Sequence, residues 1–175
     1  MKYILIFCLA LLLSGTDLLA QADLAEKTEC TYNYDDLFVD FNQQYRLNTY
    51  YLNGQRFTGC VRQDAPNGNL YVLHYVKDGH LERQVGYYRN GVKCRDYTFN
   101  KGFAHGVLAL FYVDGSPYIR ETYHNGQLHG KAKRWKNGQL LREADYWYGT
   151  MISEKLYEVP GEEKYDPPSG GLTGC

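Results

Sequence analysis

The chain predicts an all-β domain built from antiparallel hairpins, and three observations carry the prediction. Glycines that close turn signals recur every 11–14 residues, at Gly54, Gly68, Gly79, Gly91, Gly102, Gly115, Gly126, Gly138 and Gly149. The residue before the glycine is Asn or Asp in seven of these nine places. The segments between them are rich in Tyr, Phe, Val, Leu and Thr with little helical spacing, which is strand composition. Taken alternately, Gly79, Gly102, Gly126 and Gly149 lie 23, 24 and 23 residues apart, and so do Gly68, Gly91, Gly115 and Gly138. The turns therefore group into units of about 23 residues.

The amino terminus is a different kind of segment. Lys2 precedes an apolar run of eleven residues, 3–13, followed by Ser14, Gly15 and Thr16 and by small residues at Ala20 and Ala22. Eleven residues are too few to cross the ~30 Å of bilayer hydrocarbon. The pattern predicts a signal peptide over residues 1–22, cut after Ala22 or, as second choice, after Ala20. Export to the periplasm, the cell surface or the medium is the expected outcome. Cleavage removes Lys2 and Asp17, one charge of each sign, so the formal net charge of −1 is kept. That balance offers no general attraction for nucleic acid or an anionic membrane.

Cys8 leaves with the signal peptide, and Cys30, Cys60, Cys94 and Cys175 remain. In an oxidising compartment they predict one or two disulfides, with three pairings open. Their wide separation fits no zinc spacing. Neither a metal nor another cofactor is expected.

Within the turns, Asn53, Asn67, Asp78, Asn90, Asp114, Asn125 and Asn137 precede glycine. Asn-Gly and Asp-Gly favour the type I′ turn, whose twist matches the flanking strands. Lys101 and Tyr148 take that place in the other two, where looser loops are expected. Three residues before the glycine stands an aromatic in seven cases: Tyr51, Tyr88, Phe99, Tyr112, Tyr123, Trp135 and Tyr146. Rings at equivalent points predict a ladder on one face, each cross-strand pair contributing about 0.2–1 kcal/mol. Second glycines follow some turns, at Gly59, Gly106 and Gly130. A strand glycine is unfavourable by itself, and room for a ring over the bare backbone is the expected compensation.

The stretch HNGQLHG, residues 124–130, invites a ligand reading. It lacks the following helix and the Lys-Ser/Thr of a phosphate loop. Its histidines, His124 and His129, have one counterpart, His105, in the preceding unit. A hairpin turn followed by a ring-accommodating glycine accounts for it.

The stretch YHNGQLHGKAKRWKNGQLLREADYWYG resembles the MORN repeat family, and more closely the bacterial variant repeats labelled YwqK-type antitoxin. The shared signature is an aromatic, a variable residue, Asn/Asp-Gly and a second glycine four or five residues on. It runs from about Tyr50 to Gly149, clearest in the units from Gly102 and Gly126. Arg83 and Ser153 stand where the units from Gly79 and Gly149 would carry the second glycine, so those units should pack differently. The resemblance implies an elongated, twisted antiparallel sheet of stacked hairpins. It also implies action by binding, to partner proteins, to copies of itself or to phospholipid, and the family label adds an antitoxin- or immunity-like alternative.

Residues 23–48 fall outside the pattern and are expected to cap the first edge, with strands over 37–41 and 45–51. The repeat domain is expected over 49–158, with a last strand or short helix at 150–158. Residues 159–175, rich in Pro, Gly and charge, predict a disordered tail. Near the far end Lys131, Lys133, Arg134, Lys136 and Arg142 interleave with Trp135. They form either a landing strip for anionic lipid or glycan, or a solvated face paired with Glu143 and Asp145. No nucleophile, base and orienter can be assembled locally, so the chain is read as no enzyme. The functional reading is an exported protein-interaction or scaffold module of the cell envelope, with an envelope protein or a second copy as partner. Binding of lipid or glycan through Tyr and Trp is the alternative. Tyr112, Tyr123, Lys133, Arg134, Trp135 and Tyr146 are the candidate partner-binding residues.

Overall fold

The structure, a computed structural model, describes Lys27, residues 30–44 and residues 46–158. The predicted signal peptide, Tyr45, the predicted tail and Cys175 lie outside the described residues. The chain divides into two compact units, Met1–Thr31 and Tyr32–Cys175. In the first, Cys30 is buried and disulfide-bonded. Among its described residues the second is all-β apart from one short 3-10 turn.

Its strands are β1 (Tyr32–Asn33), β2 (Phe38–Asn42), β3 (Leu47–Leu52), β4 (Gln55–Arg56), β5 (Gly59–Asp64), β6 (Leu70–Lys77) and β7 (His80–Tyr87), then β8 (Lys93–Asn100), β9 (Phe103–Phe111), β10 (Pro117–His124), β11 (Gln127–Lys136), β12 (Gln139–Trp147) and β13 (Thr150–Leu156). The 3-10 turn, Tyr34–Asp36, joins β1 to β2. From β5 to β13 each strand pairs antiparallel with the next in one sheet, and β1 adds a two-residue parallel edge beside β5. The predicted hairpins are there.

The turns are of two kinds: those at Gly79, Gly102, Gly126 and Gly149, along one side of the sheet, are all of the first kind, whereas the other side carries the second kind at Gly68, Gly91 and Gly115 but the first at Gly138. At Asn53-Gly54, Asp78-Gly79, Lys101-Gly102, Asn125-Gly126, Asn137-Gly138 and Tyr148-Gly149 both central residues have positive φ, as a type I′ turn requires. At Gly68, Gly91 and Gly115 the glycine alone does. There the glycine N–H donates to the carbonyl three residues back, Ala65, Tyr88 or Tyr112, as in a type I turn with a glycine bulge. The side chains of Asn67, Asn90 and Asp114 accept from the backbone N–H two residues on, at 3.2, 3.1 and 2.8 Å. The same Asn-Gly pair thus serves two geometries, selected by whether the loop holds two residues or more.

The looser loops expected at Lys101 and Tyr148 do not occur. Both residues adopt the left-handed region, at φ 49° and 44°. The neighbouring turn imposes it: Gly102 N–H donates to the Leu81 carbonyl at 3.3 Å and Gly149 N–H to the Leu128 carbonyl at 2.8 Å. The same bond joins Gly126 to Ala104 at 2.7 Å and Gly79 to Phe57 at 2.8 Å. Lys101 is exposed, so its backbone strain has little side-chain packing to offset it. Lys101→Asn should raise stability by about 0.5–1 kcal/mol, read as a higher midpoint in urea; an unchanged or lower midpoint would contradict this.

Gly106 and Gly130 sit in bulges. Register passes from Tyr97↔Leu108 to Phe99↔Ala104, and from Glu121↔Ala132 to Tyr123↔Leu128, which is two extra residues on the second strand each time. Tyr123 stands opposite Gly106 and Tyr146 opposite Gly130 in the register, but the space a Cβ would take is bounded by Thr98 and Thr122. The ring expected over a bare glycine is found at Gly59, where Phe57 ring carbons lie 2.8–3.5 Å from that space. The units carrying Arg83 and Ser153 instead make bulges of one extra residue, Tyr75↔Arg83 to Val76↔Leu81 and Asp145↔Ser153 to Tyr146↔Met151. The aromatics form two rows at opposite ends of the strands rather than one ladder. At the type I end, Tyr88 Oη donates to the Phe111 carbonyl and Tyr112 Oη to the Trp135 carbonyl, at 2.8 and 3.0 Å. Each bond spans 23 residues of chain.

Of the segment before the large sheet, β1 lies along the β5 edge, while β2, β3 and β4 pack on a face instead of extending that edge as expected. β2, β3 and β4 form a separate three-stranded sheet. Tyr50 and Phe57 pack with Val61 and Val76 of the large sheet, joined by Tyr34, Leu37, Val39, Leu52 and Leu81. The same side of the large sheet carries His74, 5 % exposed, beneath the Tyr34 and Tyr50 rings. This side is called the front face below. On the reverse, Leu73 and Val85 are fully buried. The core therefore lies at β5–β8, whereas β13 is exposed along its whole length.

Candidate interaction surface

The six residues singled out in the sequence do not converge. Tyr112 begins the β9–β10 turn, its ring 4.9 Å from that of Tyr118, and Arg134 lies over the same Tyr118 ring at 5.7 Å. With the Trp135 carbonyl that accepts from Tyr112, these residues share the type I end of the sheet. Tyr123 and Tyr146 stand toward the type I′ end. Tyr123 Oη donates to Glu121 Oε2 at 2.9 Å, and burial together with that carboxylate pushes its pKa upward, so it stays a neutral donor. Tyr146 Oη accepts from the Arg142 guanidinium at 3.2 Å. Lys133 projects from the opposite face to Arg134, its neighbour in the strand.

The basic cluster is not a free cationic patch. Lys131 pairs with Glu143 and Asp145 at 3.2 and 3.1 Å, Lys133 with Glu143 at 3.4 Å, and Arg142 with Glu154 at 2.5 Å. Hydrogen bonds to Asp145 and then Glu143 raise the Lys131 pKa, and the Lys131 hydrogen bonds lower both carboxylates. These are the cross-strand pairs of a solvated face.

What the sequence reading missed is a row of rings along the type I′ turns. His129 lies between Trp147 and Tyr148, with ring centroids at 4.6 and 4.5 Å. His124 continues the row, 5.7 Å from His129, 5.8 Å from Tyr148 and 5.0 Å from His105. The Asn125 N–H approaches His105 Nδ1 at 3.4 Å, which makes that nitrogen the acceptor. Trp147 remains 59 % exposed and Tyr148 48 %. The signal was present: His124 and Trp147 stand two residues before their turn glycines, and His105 and His129 three after theirs. Among the described residues, no group of three or more His, Cys, Asp or Glu side chains is placed to hold a metal ion.

The row runs into β13, the last strand of the sheet among the described residues. Met151, Ile152 and Leu156 are exposed there, Ile152 by 65 % and Leu156 by 62 %. Large apolar side chains on an edge strand, beside exposed Trp and Tyr, are what a protein partner covers. Cys60 and Cys94, far from this end, are disulfide-bonded. Comparison with protein-family models, curated proteins and solved structures finds no match for this chain.

Proposed function

We propose that this is an exported, non-enzymatic repeat protein of the MORN type that serves as an interaction or scaffold module in the cell envelope. The observation that carries the reading is the contrast between the two ends of the large sheet. At the first end the front face is covered by the small sheet, and the other end presents Trp147, Tyr148, Ile152 and Leu156 to solvent beside β13, whose outer edge pairs with no further strand among the described residues. Three further features support it. Hydrogen bonds recur between residues 23 apart, in keeping with units of that length. Disulfides at Cys30, Cys60 and Cys94 suit an oxidising compartment. The ion-paired lysines weaken the case for an anionic lipid, whose attraction depends on unneutralised cations.

The test is capture. The chain, produced in an exporting host, is used as bait on a detergent-solubilised envelope extract, and the eluate is analysed for protein, lipid and glycan. A single enriched protein is expected, lost with the double substitution Trp147→Ala and Ile152→Lys, both at exposed positions. Lipid or glycan alone in the eluate would replace this reading with the ligand-binding one. Retention unaffected by the double substitution would place the surface elsewhere.

A further inference from the structure

We infer that Asn137-Gly138 and Asn53-Gly54 are sites of spontaneous deamidation, whereas the fold protects the other turns that carry Asn or Asp before glycine.

The chemistry needs two freedoms. The N–H after the asparagine must give up its proton to solvent base, and its nitrogen must then reach the side-chain carbon Cγ. A following glycine leaves that approach clear because it has no Cβ. The N–Cγ bond forms, the Cγ–Nδ2 bond breaks, and the amide nitrogen leaves as ammonia with a proton returned from solvent. Water then opens the five-membered imide at either carbonyl and gives aspartate or isoaspartate. No oxidant or reductant takes part, and asparagine is a thermolabile residue. An Asp-Gly pair closes the same ring by loss of water.

Seven turns carry Asn or Asp before glycine, and five of them are locked at the glycine nitrogen. Gly79 and Gly126 donate beyond their own loops, to the Phe57 and Ala104 carbonyls at 2.8 and 2.7 Å. Gly68, Gly91 and Gly115 donate within their loops, to Ala65, Tyr88 and Tyr112 at 2.8, 2.8 and 2.9 Å. A hydrogen bond made by the neutral N–H disfavours its ionisation. Side chains are tied as well. Asn90 accepts from the Val92 N–H and donates through Nδ2 to the Val113 carbonyl, both at 3.1 Å. Asp114 Oδ1 accepts from the Ser116 N–H and Oγ at 2.8 and 2.6 Å.

Among the described residues, neither the Gly54 nor the Gly138 N–H has a hydrogen-bond partner, and neither does the Asn53 or Asn137 side chain. Their places in the fold account for this. A type I loop supplies an acceptor of its own, and the type I′ turns stacked along one side find theirs in the turn before. Gly138 closes a two-residue turn on the side whose other loops are of the type I kind, so it meets neither acceptor. Gly54 closes a turn of the small sheet, outside the stack. Asn53 and Asn137 are exposed, and a Cβ at either glycine would meet nothing within 4 Å, so the imide has room.

The two products act differently on the fold. Aspartate keeps the type I′ turn, since Asp-Gly suits it as Asn-Gly does, and lowers the formal net charge of −1 by one. Isoaspartate adds a carbon to the backbone of a two-residue turn. At Asn137 it therefore opens the Lys136↔Gln139 pair that closes β11 onto β12.

The experiment follows the purified, folded chain over time at mildly alkaline pH. Each Asn-Gly peptide is scored by mass for the change from amide to acid and by electron-transfer fragmentation for isoaspartate. Asn53 and Asn137 should convert about tenfold faster than Asn67, Asn90 and Asn125, the effect of one backbone hydrogen bond on a rate. In urea the five rates should converge, because the locks are gone. Asn53→Gly combined with Asn137→Gly, a residue that accepts positive φ, should remove the acidic forms seen on isoelectric focusing. Equal rates at all five asparagines of the folded chain overturn the inference, as do faster conversion at Asn90 or Asn125 and acidic forms that persist in the double variant. A difference that survives in urea belongs to flanking sequence and overturns the assignment to the fold.

Discussion

Lowering the pH from about 7 to about 4 should remove roughly 3 kcal/mol of stability through His74 alone. The ring is sealed beneath Tyr34 and Tyr50, and its pKa falls to about 4, first because burial disfavours the charged form and second because of the Arg95 charge. In the unfolded chain the same ring titrates near 6.5. Between those values the unfolded state binds the proton and the folded state does not. Stability is therefore full above about pH 6.5, declines as pH falls and levels off below about 4.

The hydrogen bonds agree in sign. Gln63 Oε1 and Gln84 Nε2 each lie 3.4 Å from a ring nitrogen, an arrangement that suits a neutral ring donating to Gln63 and accepting from Gln84. A proton on Nδ1 would face an amide N–H until Gln84 turned over. Urea midpoints of the parent chain and of His74→Gln, compared across this range, isolate the effect. The parent should lose stability steeply and the variant only through its carboxylates; parallel curves would show that His74 is not the group.

Gly106→Ala should destabilise by about 2–4 kcal/mol, while Gly130→Ala should cost only about 1–2 kcal/mol. Both glycines have positive φ, 84° and 99°. They differ in what a methyl group meets. At Gly106 it would fall 2.8 Å from Thr98 Oγ1, whose single proton is shared between the His105 and Val107 carbonyls at 2.6 and 2.9 Å, so swinging away would give up that hydrogen bonding. At Gly130 the nearest atom is Thr122 Cβ at 3.5 Å, an ordinary contact. Thr98→Ala combined with Gly106→Ala should recover part of the loss. Equal costs at the two glycines would show that backbone strain acts alone.

The hairpins were legible because each turn carries its own local chemistry, an Asn or Asp before glycine at a fixed spacing. The bulge glycines were legible as positions but not as bulges, since a register jump belongs to two strands at once. Turn type was not legible: Asn125-Gly126 and Asn90-Gly91 are the same dipeptide, yet Asn125 has positive φ and Asn90 does not. Nor could local sequence foretell that Lys101 and Tyr148 would be held in tight turns, because the holding bonds come from carbonyls of the preceding hairpin. The folding of β2–β4 over the front face is a long-range outcome. Its one clue was Tyr50 and Phe57, aromatic residues flanking a turn, which pack on Val61 and Val76. At the candidate surface the ion pairing was anticipated from Glu143 and Asp145. The ring row escaped because its members flank different turns and meet only when hairpins stack.

One measurement addresses the contrast between the covered and open ends most directly: hydrogen–deuterium exchange resolved strand by strand, on the chain alone at low concentration and on the chain retained by an envelope extract. Alone, amides of β6 and β7 should exchange slowest and those of β13 fastest, because both faces of the former are buried and the latter has one strand neighbour among the described residues. In the retained chain, new protection should appear in β13 and around Trp147 and Tyr148. A β13 already protected to the level of β7 in the dilute chain, or new protection confined to β2–β4, would contradict the assignment of the open end as the binding end.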